Sequence, residues 1–121
     1  MSLRTIAKIR DVADRKRLTV TTGAKSIGII EFEGNFYAYE NNCPHQGGPV
    51  CEGNLFGNVE CRVSPQGRKL EEYVSTENVN ISCPWHGVEF DVRTGICRSD
   101  KRLRLTPFTV VVDGEDLKIL A

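Results

Sequence analysis

The sequence carries no excess of charge: 16 Lys and Arg balance 16 Asp and Glu. A chain without an overall field has nothing that would gather nucleic acid or an anionic membrane, so neither is expected as a partner. No apolar run approaches the roughly 18 residues that span a bilayer, and the charged opening MSLRTIAKIRDVADRKR lacks the apolar stretch of a secretory signal. These absences lead to the expectation of a soluble, cytoplasmic protein. Helical periodicity is also scarce, with one short turn expected over Asp11–Arg15. Histidine is scarcest of all: two residues in 121, against five cysteines. Where thiols stay reduced, an odd number of cysteines argues for metal or redox chemistry over a disulfide framework.

What is abundant is short, β-branched or aromatic segments punctuated by turn residues. Residues 4–9, 17–22, 27–33 and 35–39 read as strands, separated by Thr22-Gly23 and Glu33-Gly34-Asn35. Residues 88–92 alternate apolar and polar, and 107–112 with 117–120 read as a closing hairpin around Asp113-Gly114. The length suits one domain over 1–121. The expected architecture is all-β, a small β-sandwich or partly open barrel, with a core including Ile6, Ile9, Leu18, Val20, Ile29, Phe36, Phe90, Val110 and Ile119. Residues 55–81 fit least well. They contain Ser64-Pro65-Gln66-Gly67, a turn signal that predicts a hairpin with arms near 58–63 and 68–74.

Both histidines stand beside cysteines in Pro- and Gly-rich segments, Asn42-Cys43-Pro44-His45-Gln46-Gly47-Gly48-Pro49 and Cys83-Pro84-Trp85-His86-Gly87. Two thiolates and two imidazoles suit tetrahedral zinc or an iron–sulfur cluster. The first loop has one residue between its pair, fewer than structural zinc loops usually have, and residues i and i+2 of an extended segment point the same way. That favours two metals side by side. Cys51, Cys61 and Cys97 have no histidine partner and are expected as small, reduced, buried or half-buried side chains, with Cys51 a possible neighbour of the first loop.

The paired loops resemble the cluster-binding loops of the Rieske [2Fe–2S] family. Gly34–Tyr39 before the first and Phe90–Gly95 after the second also resemble the strands flanking them in Rieske-type ferredoxins, so the likeness covers most of 27–120. It implies a cluster-binding subdomain near 41–96, interrupted by the 55–81 excursion, which is longer than the corresponding gap in oxygenase ferredoxins. It also implies one [2Fe–2S] cluster, with Cys43 and Cys83 on one iron and His45 and His86 on the other, and Gly47, Pro49 and Trp85 around them. Pro44 and Gly47 are expected to let loop N–H groups face the sulfides.

Two ferric ions, two sulfides and two thiolates sum to zero charge, which makes the first electron easier to add than in a four-thiolate cluster and raises the potential to about −150 to +300 mV. Rieske proteins of quinol-oxidising complexes carry an extra cysteine in each loop and a serine hydrogen-bonded to the cluster. Gly48, Trp85 and Val88 stand in those places, which implies the low end of the range. By the same likeness the chain is a one-electron carrier between a flavin-dependent reductase and a terminal oxygenase, a component more than a complete enzyme. The alternatives are the small Rieske-like subunit of a nitrite reductase and a zinc-stabilised interaction module. From Ser26 to Cys61 there is no Lys or Arg but there are Glu31, Glu33, Glu40, Glu52 and Glu60, so an acidic surface is expected around the first loop.

Overall fold

The structure is a computed structural model that describes residues 3–13, 16–45, 47–85 and 87–120; the side chains of residues 69, 70, 73 and 77 also lie outside the description. The described chain is mostly β, in three open sheets that do not close into a barrel. The first contains β1 (Leu3–Lys8), β10 (Asp116–Leu120) and β9 (Val110–Asp113), in the order β1-β10-β9. A second runs β2 (Arg17–Thr22), β3 (Lys25–Phe32), β4 (Asn35–Glu40) and β8 (Pro107–Phe108). The third contains β5 (Leu55–Val63), β6 (Lys69–Ser82) and β7 (Glu89–Asp91). All pairings are antiparallel, and β1 meets β10 with Leu3 opposite Leu120.

The strand β3 explains why Ile27-Gly28-Ile29-Ile30 is apolar without alternation. Its Ile27 and Ile29 enter one core with Val12, Ala38, Leu117 and Ile119. Ile30, on the opposite face, enters another with Tyr39, Cys43, Val50, Cys51, Ile81, Cys83, Phe90, Val92, Cys97 and Leu105. Successive strand residues point to opposite faces, so a strand shared by two cores must be apolar on both. The first core contains the expected Ile6, Ile9, Leu18, Val20, Ile29, Phe36, Val110 and Ile119, and the second contains Phe90.

Two local details differ from the sequence reading. The helical turn α1 spans Ile9–Ala13, with Asp14 and Arg15 outside the described residues. Asp11 starts it early by accepting the Lys8 N–H at 3.1 Å, a reach back to the helix entrance. The run 107–112 is two strands: Pro107 and Phe108 pair with Tyr39 and Ala38, while Val110 onwards pairs with β10. The chain changes sheets at Thr109. The hairpin expected within 55–81 is present, with longer arms: β5 and β6 pair back to Leu55 opposite Ile81, and the turn closes where Gly67 N–H donates to Ser64 O at 2.9 Å.

Candidate metal centre

Antiparallel pairing brings the two cysteine loops together. The first leaves β4, passes through a 3-10 turn at Val50–Glu52 and enters β5; the second leaves the end of β6. Leu55 at the start of β5 lies opposite Ile81 near the end of β6, so the exit of one loop adjoins the entrance of the other. The Ser82 N–H donates to Asn54 O at 3.0 Å. Gly53 fits beside them because it has no side chain, since a Cβ there would run into the Ser82 carbonyl.

The loops have the same backbone closure. Cys43 N–H donates to Gly48 O at 2.8 Å and Gly47 N–H to Cys43 O at 2.7 Å; Cys83 N–H donates to Val88 O and Gly87 N–H to Cys83 O, both at 2.9 Å. Gly47 and Gly87 have φ of 79° and 70°, the left-handed region that glycine enters without penalty. The N–H of Gly47 is thus spent on closing its own loop. Cys43 and Cys83 are buried, whereas Pro44, His45, Pro84 and Trp85 are exposed. His86 lies outside the described residues. Among the described residues no three His, Cys, Asp or Glu side chains gather as a metal-binding group.

Contact between the loops is direct. A Cβ on Gly48 would lie 2.9 Å from Cys83 Sγ and from the Trp85 ring atoms Cγ and Cδ2, closer than real contacts allow. Positions 48 and 85 are thus neighbours, and Pro49 is half-buried beside them.

Cys51 anchors the first loop from behind. Its N–H donates to Asn41 Oδ1 at 2.8 Å, and its side chain occupies the space where Gly28 would carry a Cβ. Burial pushes this thiol up to about 12, so it stays protonated at neutral pH. Cys97 is buried too, but Cys61 is exposed on β5, against the expectation. Behind the second loop, Tyr39 donates its hydroxyl to Val92 O at 2.7 Å, and burial holds its phenol well above the usual tyrosine range. The fully buried Asn80 joins neighbouring strands: its Nδ2 donates to Asn58 Oδ1 at 3.0 Å and its Oδ1 accepts from Arg98 Nε at 2.6 Å. Arg98 reaches Asp91 at 3.0 Å. Asn41, Gly53 and Asn80 act through residues far away in sequence, and no local pattern marks them.

The acidic surface is smaller than its sequence suggests. Glu31 pairs with Lys16 at 3.4 Å and Glu33 with Arg93 at 2.9 Å. Register puts Ile27 opposite Glu40 at the loop end of the β3–β4 hairpin and Phe32 opposite Asn35 at its tip. Five residues of strand separate those ends, about 17 Å, which removes Glu33 from the loop. Glu60 accepts from Asn78 Nδ2 at 2.7 Å. Glu40 and Glu52 remain beside the first loop.

Residues 2–63 match the Rieske [2Fe–2S] domain, a family whose fold carries such a cluster. Mouse apoptosis-inducing factor 3 is 26% identical over 118 residues, covering 97% of this chain. The ferredoxin component of the Pseudomonas putida naphthalene 1,2-dioxygenase system is 30% identical over 87 residues, covering 72%. The chain spans 16% of the length of the first relative and 64% of the second in these matches. Among solved structures, the ferredoxin of carbazole 1,9a-dioxygenase from Nocardioides aromaticivorans IC177 has a TM-score of 0.70 at 21% identity, over 98% of this chain and 97% of that one. The ferredoxin fold also matches in a complex of reduced oxygenase and oxidised ferredoxin of carbazole 1,9a-dioxygenase, with TM-score 0.68, 22% identity and coverage of 97% and 91%. A protein provisionally described as an NADPH nitrite reductase small subunit has TM-score 0.68 at 17% identity, with both chains covered fully. At these identities the structural matches speak for the fold.

Proposed function

Because the chain belongs to the Rieske [2Fe–2S] domain family, we propose that it is a one-electron carrier whose cluster is held by Cys43, His45, Cys83 and His86. The observation that supports this most is the meeting of two loops with the same closure, each bringing a buried cysteine and each containing one of the two histidines in the chain. The donor set fits: thiolate and imidazole are the ligand types of this cluster class. When bound, the cluster supplies reversible one-electron chemistry. The chain's part is to hold the two cysteines away from bulk water and to keep the loops in register through Gly53, Asn54 and Ser82. Cytoplasmic residence and a single domain over 1–121 belong to the same proposal.

The partners we propose are a flavin-dependent reductase as donor and a terminal oxygenase as acceptor, in line with the 30% identity to a dioxygenase ferredoxin component. Glu40 and Glu52, beside the first loop, would face basic groups on the partner and favour encounter at low salt. Gly48 and Trp85 provide no cysteine pair and Val88 no hydroxyl donor, which supports a potential near the low end, about −150 mV. The fold likeness to a nitrite reductase small subunit supports a second reading, a fixed subunit of a larger reductase.

Electron paramagnetic resonance of the anaerobically purified, dithionite-reduced protein is the test. A rhombic signal with a low average g value, converted to an all-cysteine type or lost in His45→Cys and His86→Cys, is expected. A colourless, silent protein with stoichiometric zinc would overturn the proposal in favour of a structural metal module. Turnover of an oxygenase with reductase and this chain, against stable co-purification with a larger reductase, separates the two readings.

A further inference from the structure

The far half of the β5–β6 hairpin is built unlike the rest of the molecule. Val59, Val63 and Val74 are 62%, 54% and 64% exposed, among the few large apolar side chains so open to water. Val59, Cys61 and Val63 alternate along β5, so they share one face, and Val74 lies opposite Val59. The extra β6 residues of this hairpin's two irregularities fall between the partners of Gly57 and Val59 and between the partners of Arg62 and Val63, leaving 59–63 continuous on β5. Arg62 pairs with Glu71 at 3.0 Å, on the opposite face from the valines. Among the described residues no strand pairs with the outer edge of β5, which ends its sheet. An open edge with an apolar face is a template for another strand, and such edges are usually shielded.

The sequence of that edge identifies the strand it fits. Val59-Glu60-Cys61-Arg62-Val63 is symmetric about Cys61 in size and antisymmetric in charge. Two copies laid antiparallel about Cys61 place Val59 opposite Val63 twice on one face. On the other face they place Glu60 opposite Arg62 twice. An isologous contact requires this self-complementarity, in which residue i meets j and j meets i. The adjacent centres fail: about Glu60, two glutamates meet on the axis, and about Arg62 two arginines do, while centres at Val59 or Val63 give neither Glu60–Arg62 pair. In the pairing about Cys61, each Arg62 stands between Glu71 of its own chain and Glu60 of the second copy, a ladder of alternating charge.

We propose that the outer edge of β5 joins two copies of this chain, by antiparallel strand addition centred on Cys61. The edge is remote in the hairpin from Asn54 and Ser82, so pairing there leaves the loops free, and it is independent of what the loops bind.

The test is sedimentation equilibrium of the full chain over about 1 µM to 1 mM, the span in which modest interfaces dissociate. The expected result is a mass rising towards that of a dimer. Arg62→Glu and Glu60→Arg each set like charges opposite one another twice and should weaken association by about tenfold or more. Mixed together, the two variants restore both opposite-charge pairs and should dimerise again. Intrachain damage cannot mimic this recovery, because the Arg62–Glu71 contact of each variant is the same alone and mixed; circular dichroism checks folding. A chain that stays monomeric at 1 mM overturns the proposal and leaves the edge to a strand from another protein. So does a mixture that stays as monomeric as its components, or variants that associate like the parent.

Discussion

The two cysteine loops close through the same pair of hydrogen bonds, yet they are not interchangeable. Counting from the cysteine, the glycine that closes each loop is fourth, but histidine is second in the first loop and third in the other. The fifth position is Gly48 in one and Val88 in the other. Gly48 is buried against Cys83 and Trp85, while Val88 is half-buried. The backbone therefore sets a common frame, and side chains make the contact between frames one-sided. Support differs as well. The first loop rests on Cys51, Asn41 and Gly28, and the second on β6 and the Tyr39–Val92 bond.

The largest expected effect treats the loops alike. Cys43→Ser or Cys83→Ser should abolish the visible spectrum and bound iron, each as completely as the other; a variant retaining half its iron would show that one loop holds metal alone. Alkaline pH should then separate them. The unfolded Cys51 thiol titrates near 9.0 and the folded one near 12, so stability from its burial is complete below pH 9 and declines as pH rises towards 12. The loss is at most about 4 kcal/mol. Urea midpoints measured at pH 8 and 10.5 should fall apart in the parent and differ by less in Cys51→Ala, where only the Tyr39 phenol, also raised by burial, still weakens the fold in alkali. The smallest effect concerns the fifth position. Gly48→Ala forces a methyl into Cys83 and Trp85 and should destabilise by about 1–3 kcal/mol. Val88→Ala removes two half-buried methyls and should cost about 1 kcal/mol. Equal costs would mean that the interloop contact is looser than the geometry requires.

Much of this organisation could be read in advance, for definite reasons. Strands β2 and β4 begin where β-branched and aromatic runs follow turn residues, and β3–β4 turns through Glu33 and Gly34, both at positive φ. The rarity of histidine made the loops visible. What stayed hidden depends on distant partners. Residues 107–112 have uniform strand character, so nothing local marks Thr109 as the change of sheet. Arg93 and Lys16 neutralise Glu33 and Glu31 from elsewhere in the chain, and the apolar character of cysteine gives no warning that Cys61 would be exposed. The twin closure of the loops is likewise a property of backbone hydrogen bonds, which spacing alone does not specify.

The pairing of β1 with β10 has a consequence in time. Among the described residues β1 lies at the edge of its sheet with β10 as its one strand neighbour, so during synthesis it waits for that partner until residues 116–120 have left the ribosome. The first cysteine loop emerges long before that, and Ser82, which fastens it to the second, comes between. Contacts this distant in sequence form slowly. The core that buries Cys43 and Cys83 draws on no residue later than Leu105, whereas β10 belongs to the other core, so closing the β1–β10 sheet is a later and separate step from enclosing the two thiols.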